Sequence, residues 1–542
     1  ANGRYITTWV DKNLDGVIDA GEYQPFVKTM FSSADPVSHS FFDVSDAAEA
    51  EKVVDYVRGI EVSGSRNRKV QYGAGEFENV MRLGDIVNST PAVVGSPQEA
   101  FNLMYGDATY RQFLQQYTNR RIMVYAGGND GLLHAFNAGF YNTVKVNANT
   151  TDEKTYIEYS TTGKKWKGEP ATPHPLGAEI WAYAPSNLLT HLQWLKDPEY
   201  GKQTHVYFMD GKPRIFDARI FLDSNGNAID DDHPNGWGTV MVVGMNLGGG
   251  SMKVNIDHDK NPATPVKQIF TKSAYVVFDI TNPEAEPNLL AEIPMPDGSF
   301  STVYPVVAAF QDVGTTTSCK DADGAEAACN SWYLVFGNGP SNLEYVSTKN
   351  AKVYLFDLGQ LSTKTASPAL TATGLPANCT VQAIHPAANL IACDTLQTKS
   401  FMGTPVVVDW NLDFRANTAY FGLVGSDASG AMDDGRVMRL GFNNEAAFSN
   451  WSPLTTFYDT NLPVVAQPVP SIDNQDNHWL FFGTGRYFST ADKTTTDKHY
   501  LYGVKDMEDS AYPVEESKLL DVSSVKMYTD GTILPSVASI TG

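Results

Sequence analysis

Residues 11–22 read Asp11-Lys12-Asn13-Leu14-Asp15-Gly16-Val17-Ile18-Asp19-Ala20-Gly21-Glu22 and place an oxygen donor wherever a calcium loop needs one. Asp11, Asn13, Asp15 and Asp19 stand at loop positions 1, 3, 5 and 9, and Gly16 stands at position 6, where the chain must turn sharply. The Val17 carbonyl serves position 7, and Glu22 closes the loop with two carboxylate oxygens at position 12. Hard oxygens at this spacing suit a hard divalent cation, so the expected cofactor is Ca2+. The flank Arg4-Tyr5-Ile6-Thr7-Thr8-Trp9-Val10 is β-branched and aromatic and reads as strand, so the loop need not belong to a helix-loop-helix sensor. It reads instead as a structural site that orders this end of the chain. The start at Ala1 suggests a mature product or a fragment of something longer.

Other constellations are poorer. Asp223-Ser224-Asn225-Gly226-Asn227-Ala228-Ile229-Asp230-Asp231-Asp232 alternates oxygen ligands, but Pro234 occupies position 12, and it reads as a polar insertion. Asp257-His258-Asp259-Lys260-Asn261-Pro262 reads as a plain turn. The 10 histidines include no H-E-x-x-H motif, and His134, after two leucines in a strand pattern, reads as a hydrogen-bonded wall residue. The sequence contains no nucleophile elbow, Walker A loop or dinucleotide fingerprint. Gly248-Gly249-Gly250 reads as a flexible turn.

The elements that must position the loop belong to a chain of 542 residues, long enough to bury a large core. Its 40 basic and 62 acidic side chains leave a net charge of −22, which argues against nucleic-acid binding through phosphates and against a basic patch for anionic lipid. No apolar run approaches the roughly 20 residues of a membrane span. The 4 cysteines form two close pairs, Cys319/Cys329 and Cys379/Cys393. Three pairings are possible; local closure is the simplest and implies an oxidising compartment.

Short apolar and aromatic segments punctuated by Gly, Asn, Asp and Pro recur along the chain and read as strands. They include Ile122–Ala126, Val206–Met209, Gly238–Gly244, Tyr275–Phe278, Trp332–Gly337, Val353–Asp357 and Trp479–Gly485. A loose unit of strand, glycine turn and strand repeats with uneven spacing, which suggests an all-β propeller with long insertions. Two peripheral helices are expected. One spans Ala47 to Val57, capped by Ser45 or Asp46, with Val53, Val54, Val57 and Ile60 on one face; the other spans Leu188 to Leu195. The organisation expected is a calcium-loop and helical linker over residues 1–80, followed by a propeller domain over residues 81–542.

Arg82-Leu83-Gly84-Asp85-Ile86-Val87-Asn88-Ser89-Thr90-Pro91-Ala92-Val93-Val94-Gly95 closely resembles the opening motif of the PilY1/PilC family of type IV pilus-associated proteins. Gly128–Phe136, Glu179–Pro185 and Trp237–Gly244 resemble the same family in the same order, as does the helix ending Val53–Gly59. Together these segments extend the resemblance over residues 1 to about 505. The resemblance implies a C-terminal domain with a modified β-propeller fold of about seven blades. It also implies a blade calcium site, matched here by Asp409, Asn411, Asp413 and Asn417 with the Arg415 carbonyl. This loop departs from the family pattern: Asn417 replaces a carboxylate, Phe414 stands where a turn glycine is usual, and Arg415 brings a positive side chain, changes that predict weaker calcium affinity or loss of the site. Full-length members carry a further N-terminal half resembling von Willebrand factor A proteins, which lies outside this sequence. The implied role is non-catalytic: pilus biogenesis, adhesion and calcium-dependent control of pilus extension and retraction at the cell surface or pilus tip. Its implied partners are pilins, minor pilins and host or abiotic surfaces. The propeller segments also resemble those of pyrroloquinoline-quinone dehydrogenases, which makes a quinoprotein enzyme the rival reading, and a purely structural filament component a second alternative. The chain has no adjacent cysteines of the kind such enzymes often place over the quinone.

Overall fold

The computed structural model describes residues 3–534 apart from 73–76, 146–152, 159–175, 203, 224–226, 257–267, 312–329, 362–373, 386–387, 446–447, 508–511, 528 and 530–532. Its alternating apolar runs form sheets that follow one another in chain order. The first sheet runs Tyr23–Pro25, Ile6–Trp9, Glu179–Ala184, Leu133–Lys145, Ile122–Gly127, Ala92–Val94 across its width. The second is the antiparallel set Arg214–Arg219, Trp237–Gly244, Ala274–Asp279, Asn288–Pro294. The third begins with Val306–Gln311, Asn330–Gly337 and Lys352–Asp357 and ends with Ala388–Asp394 beside Cys379–His385. In the fourth, Ser400–Met402 and Val406–Val408 both pair with Thr418–Gly425, followed by Arg436–Gly441 and Thr455–Asp459. The fifth holds Val469–Ile472, His478–Gly483 and Leu501–Asp506.

Burial follows the same order. Trp181, Tyr183 and Met123 of the first sheet pack on Phe278, Val276 and Met241 of the second. Trp237 and Tyr275 of the second meet Trp332 and Phe336 of the third. Val335 and Leu355 then meet Phe421 and Leu440, and Tyr420 and Val437 of the fourth meet Leu480 and Phe482 of the fifth. Each inner face is thus buried against the next sheet, the packing of propeller blades. The described residues hold five such sheets and three further short pairs: Lys253–Asn255 with Gln268–Phe270, Lys69–Tyr72 with Phe77–Val80, and Lys526–Met527 with Ile533–Leu534.

The N-terminal segment is built into the first sheet. Ile6–Trp9 runs parallel to Glu179–Ala184, with Ile6 beside Ala182 and Thr8 beside Ala184, and antiparallel to Tyr23–Pro25. Helix α1 (Ala47–Val57) starts where Asp46 accepts the Glu49 N–H at 3.0 Å, and it buries Val53, Val54 and Val57 in the same core. Ser186–Lys196 forms a 3-10 helix. Between Ala92–Val94 and Ile122–Gly127 the chain inserts α2 (Phe101–Met104) and α3 (Ala108–Tyr117), the latter capped by Asp107.

Val206–Met209 is not a strand. Phe208 and Met209 are both buried, and the Phe208 N–H donates to Asn129 Oδ1 at 2.9 Å instead of joining a ladder. Gly248 is not a loose turn either: a Cβ there would stand 1.9 Å from the Phe208 carbonyl oxygen. Cys379 and Cys393 face one another across adjacent strands and form a disulfide with Cα atoms 4.0 Å apart. Cys319 and Cys329, like the turn at 257–262, lie outside the described residues. Among the described residues no helix is long and apolar enough to cross a membrane.

Candidate metal centres

Both oxygen-rich loops close β-hairpins. The 11–22 loop joins Ile6–Trp9 to Tyr23–Pro25, so its strand-like flank is a strand. The Asp11 carboxylate collects the N–H groups of Leu14 (2.6 Å), Asp15 (3.2 Å) and Gly16 (2.8 Å). Asn13 Oδ1 accepts the Asp15 N–H at 3.0 Å, and Asp15 Oδ1 accepts the Val17 N–H at 2.8 Å. Leu14 and Gly16 both take left-handed backbone, φ 66° and 73°; glycine does so without strain and leucine does not. Carboxylate oxygens of Asp15 and Asp19 converge on a single donor, the Asn13 amide nitrogen, at 3.0 and 2.8 Å. Rotating that amide would give up the bond from the Asp15 N–H and turn Oδ1 toward the two carboxylates, leaving three side-chain oxygens facing one point, the arrangement a divalent cation takes.

Glu22 is buried. Its carboxylate accepts the Lys12 N–H at 2.7 Å, the Trp9 indole N–H at 3.2 Å and the Asp19 N–H at 3.3 Å, which pins the end of the loop to its beginning. The Lys12 ammonium turns away to Asp35 at 2.5 Å. Burial raises Asp11 above the ordinary carboxylate range, opposed by the Gly16 and Leu14 N–H groups and reinforced by Glu22 and Asp15. Among the described residues no three carboxylate, imidazole or thiol groups stand close enough together to hold a metal by themselves. The convergence is that of Asp15 and Asp19 on Asn13. An all-oxygen donor set on a loop already turned for it fits calcium.

The 409–417 loop joins Val406–Val408 to Thr418–Gly425 and repeats the turn. Asp409 accepts the N–H groups of Asp413 (3.2 Å) and Phe414 (2.9 Å), and Asp413 accepts that of Arg415 at 2.9 Å. Asn411 donates to Asp413 at 2.9 Å. Leu412 and Phe414 are left-handed at φ 55° and 70°. The closing half differs. Asn417 accepts the Trp410 N–H and donates to the side chain of Asn444, which in turn donates to Asp413 at 3.1 Å. The Arg415 guanidinium reaches the Asn444 carbonyl at 3.3 Å. Asp409 is raised by burial and receives the Tyr105 hydroxyl. Both atoms of the Asn417 amide are held by protein partners, and the loop offers only the carboxylates of Asp409 and Asp413 against the four of the 11–22 loop. This donor set does not fit the implied cation.

Of the remaining candidates, Asp223 accepts the Asn227 N–H at 2.9 Å and turns on itself, while Asp230 pairs with His233 at 2.7 Å. His134 is a buried wall residue, as its position suggested, but a charged one. Its ring bridges Glu179 (2.7 Å) and Asp130 (3.1 Å), and Arg4 clasps Glu179 through two bonds of 2.5 and 2.6 Å. Against the cost of burial, Asp130 and Glu179 push His134 up to about 9, and Arg4 and His134 pull Glu179 down to about 2. This network ties the strand at Ile6–Trp9 to the first sheet. Arg4 and Glu179 are 175 residues apart, so no local pattern announces it.

No family model matches the chain. It is 25% identical over 495 residues to a type IV pilus biogenesis factor PilY1 homolog of Xylella fastidiosa, covering 86% of this chain and 25% of that protein. It is 24% identical over 445 residues to type IV pilus biogenesis factor PilY1 of Pseudomonas aeruginosa, covering 79% of this chain and 29% of that one. The chain therefore spans about a quarter of the length of the curated relatives it matches. The crystal structure of the Pseudomonas aeruginosa PilY1 C-terminal domain aligns over 81% of this chain and 71% of that one at 18% identity, with a TM-score of 0.43.

Proposed function

We propose that the chain is a PilY1-family protein, a non-catalytic surface module serving type IV pilus biogenesis, with one calcium-responsive loop at residues 11–22. The relatives carry the name of pilus biogenesis factors, and that name supports the pilus role here. In this reading the module works outside the cell, at the surface or pilus tip, after export through the periplasm. The disulfide at Cys379 and Cys393 supports an oxidising location. Its partners are pilins or minor pilins, together with host or abiotic surfaces for adhesion.

The observation that carries the calcium reading is the convergence of Asp15 and Asp19 on the Asn13 amide, in a loop whose turns are already formed. Asp11, Asn13, Asp15, Asp19 and Glu22 would hold the ion through side chains and Val17 through its carbonyl. Bound calcium would supply a divalent counter-charge to the loop's four carboxylates. The chain's own part is mechanical. Trp9 and Lys12 fix Glu22, and Arg4 fixes the strand, so stiffening the loop alters the hairpin edge presented to a pilin or a surface. Calorimetric titration with calcium tests it. Asp15→Ala is expected to weaken binding by about tenfold or more; unchanged affinity removes the cation from this loop.

A further inference from the structure

The 409–417 loop has the turns of a calcium site, yet other groups occupy the roles a cation would fill. Phe414, at the turn position, is 3% exposed. Its ring stacks on Tyr105 at 4.0 Å and 14° and lies 4.8 Å from Phe101 and 5.8 Å from Trp332. A left-handed phenylalanine is strained, and such strain persists only where the surroundings over-determine it. Here the aromatic cluster does so. Asn444 performs the second role, joining Asp413 to Asn417 through its two amide atoms.

The loop is also tethered outward. The Tyr105 hydroxyl bonds Asp409. The Phe414 carbonyl accepts the Gln311 N–H at 3.0 Å, and the Gln311 side chain donates at 2.7 Å to Asp107, the residue that caps α3. Thr109 of α3 receives the Trp237 indole N–H at 2.9 Å. The helical pair is an insertion of the first sheet, Trp237 belongs to the second, Gln311 and Trp332 to the third, and the loop to the fourth.

We infer that the 409–417 loop of this chain is a metal-independent brace, in which Phe414 and Asn444 take the place of a cation and lock α2 and α3 across four successive sheets. The inference does not rest on the 11–22 reading. It assigns positioning roles to Phe414, Asn444 and Gln311, and it makes the stability of this region insensitive to chelators.

The test uses the 542-residue chain. Calcium titration by calorimetry compares it with the double variant Asp409→Asn, Asp413→Asn, and thermal melting follows Asn444→Ala with chelator and with excess calcium. The brace requires the double variant to bind the same number of ions with the same affinity as the parent. It also requires Asn444→Ala to melt lower by an equal amount in both conditions. Loss of a bound ion in the double variant, or recovery of Asn444→Ala by calcium, overturns it. Absence of calcium binding by the parent would sink the 11–22 reading and leave the brace standing, so the two failures are distinguishable.

Discussion

The hairpin loops at 11–22 and 409–417 share one backbone and are held by opposite means. In each, the first aspartate gathers the N–H groups of the turn, the fifth position accepts the seventh, and positions 4 and 6 are left-handed. The first loop keeps glycine at position 6 and closes on the carboxylates of Asp19 and Glu22. The second has phenylalanine there and closes on amides. On the proposed reading of the two loops, a calcium-loop backbone is separable from its cation. What decides dependence on the ion is whether the closing half leaves charge unbalanced. Four carboxylates with Lys12 turned away do so, whereas two carboxylates met by Asn411, Asn444 and Tyr105 do not.

The largest break in that comparison comes from the ring. Phe414→Ala empties the centre of a buried aromatic cluster and should cost about 3–5 kcal/mol. Urea unfolding with and without calcium should give the same loss; a loss that calcium removes would mean the second loop behaves like the first.

Glu179→Gln probes the support of the first loop. It leaves Arg4 and His134 facing a neutral amide in a largely buried site, at a cost of about 2–3 kcal/mol. Hydrogen exchange should locate the loosening at Ile6–Trp9 and leave Val406–Val408 untouched. The parent should show a matching pH dependence. His134 is raised from about 6.5 to about 9 in the folded state, so its contribution is complete below about 6.5 and is lost as pH climbs through about 9. Glu179, lowered to about 2, contributes above its unfolded value near 4.5 and loses that contribution only as pH falls through about 2. Protection of Ile6–Trp9 should accordingly decay between about pH 6.5 and 9, with a flatter profile in Glu179→Gln. Equal decay at both hairpins would contradict a local support.

What the residues disclosed unaided was whatever local spacing carries. Oxygen donors at fixed intervals marked the 11–22 loop, its β-branched flank made it a strand, and Ser45 or Asp46 announced the helix; the 409–417 loop was legible only through the family resemblance. The succession of sheets followed from apolar runs with glycine turns. The misread run at Val206–Met209 failed because adjacent buried residues carry no period. Uneven insertions also blurred the sheet count, and five sheets are described where about seven blades were expected. Partners distant in the chain left no trace. Asn444 lies 27 residues from Asn417, Arg4 meets Glu179, and Ile6–Trp9 adds in parallel to a strand far downstream. Phe414 looked like damage to a turn because only the folded neighbours, Tyr105 and Phe101, reveal what its ring does.

The smallest effect is also the sharpest discriminator. Asn417→Asp places a carboxylate at position 9, where the 11–22 loop has Asp19. The new side chain can still accept the Trp410 N–H, but it can no longer donate to Asn444. If the Asn444 amide rotates to serve the new carboxylate, its oxygen then faces Asp413, so one hydrogen bond is lost whichever way it turns. The cost without calcium should be about 1 kcal/mol. Because the turn is already formed, the added charge should give the variant calcium binding beyond that of the parent loop, and the ion should return part of the lost stability. A variant that stays blind to calcium would place the obstacle in the aromatic anchor, with the closing charge irrelevant. Binding as tight as at 11–22 would make Asn417 alone the difference between the two loops.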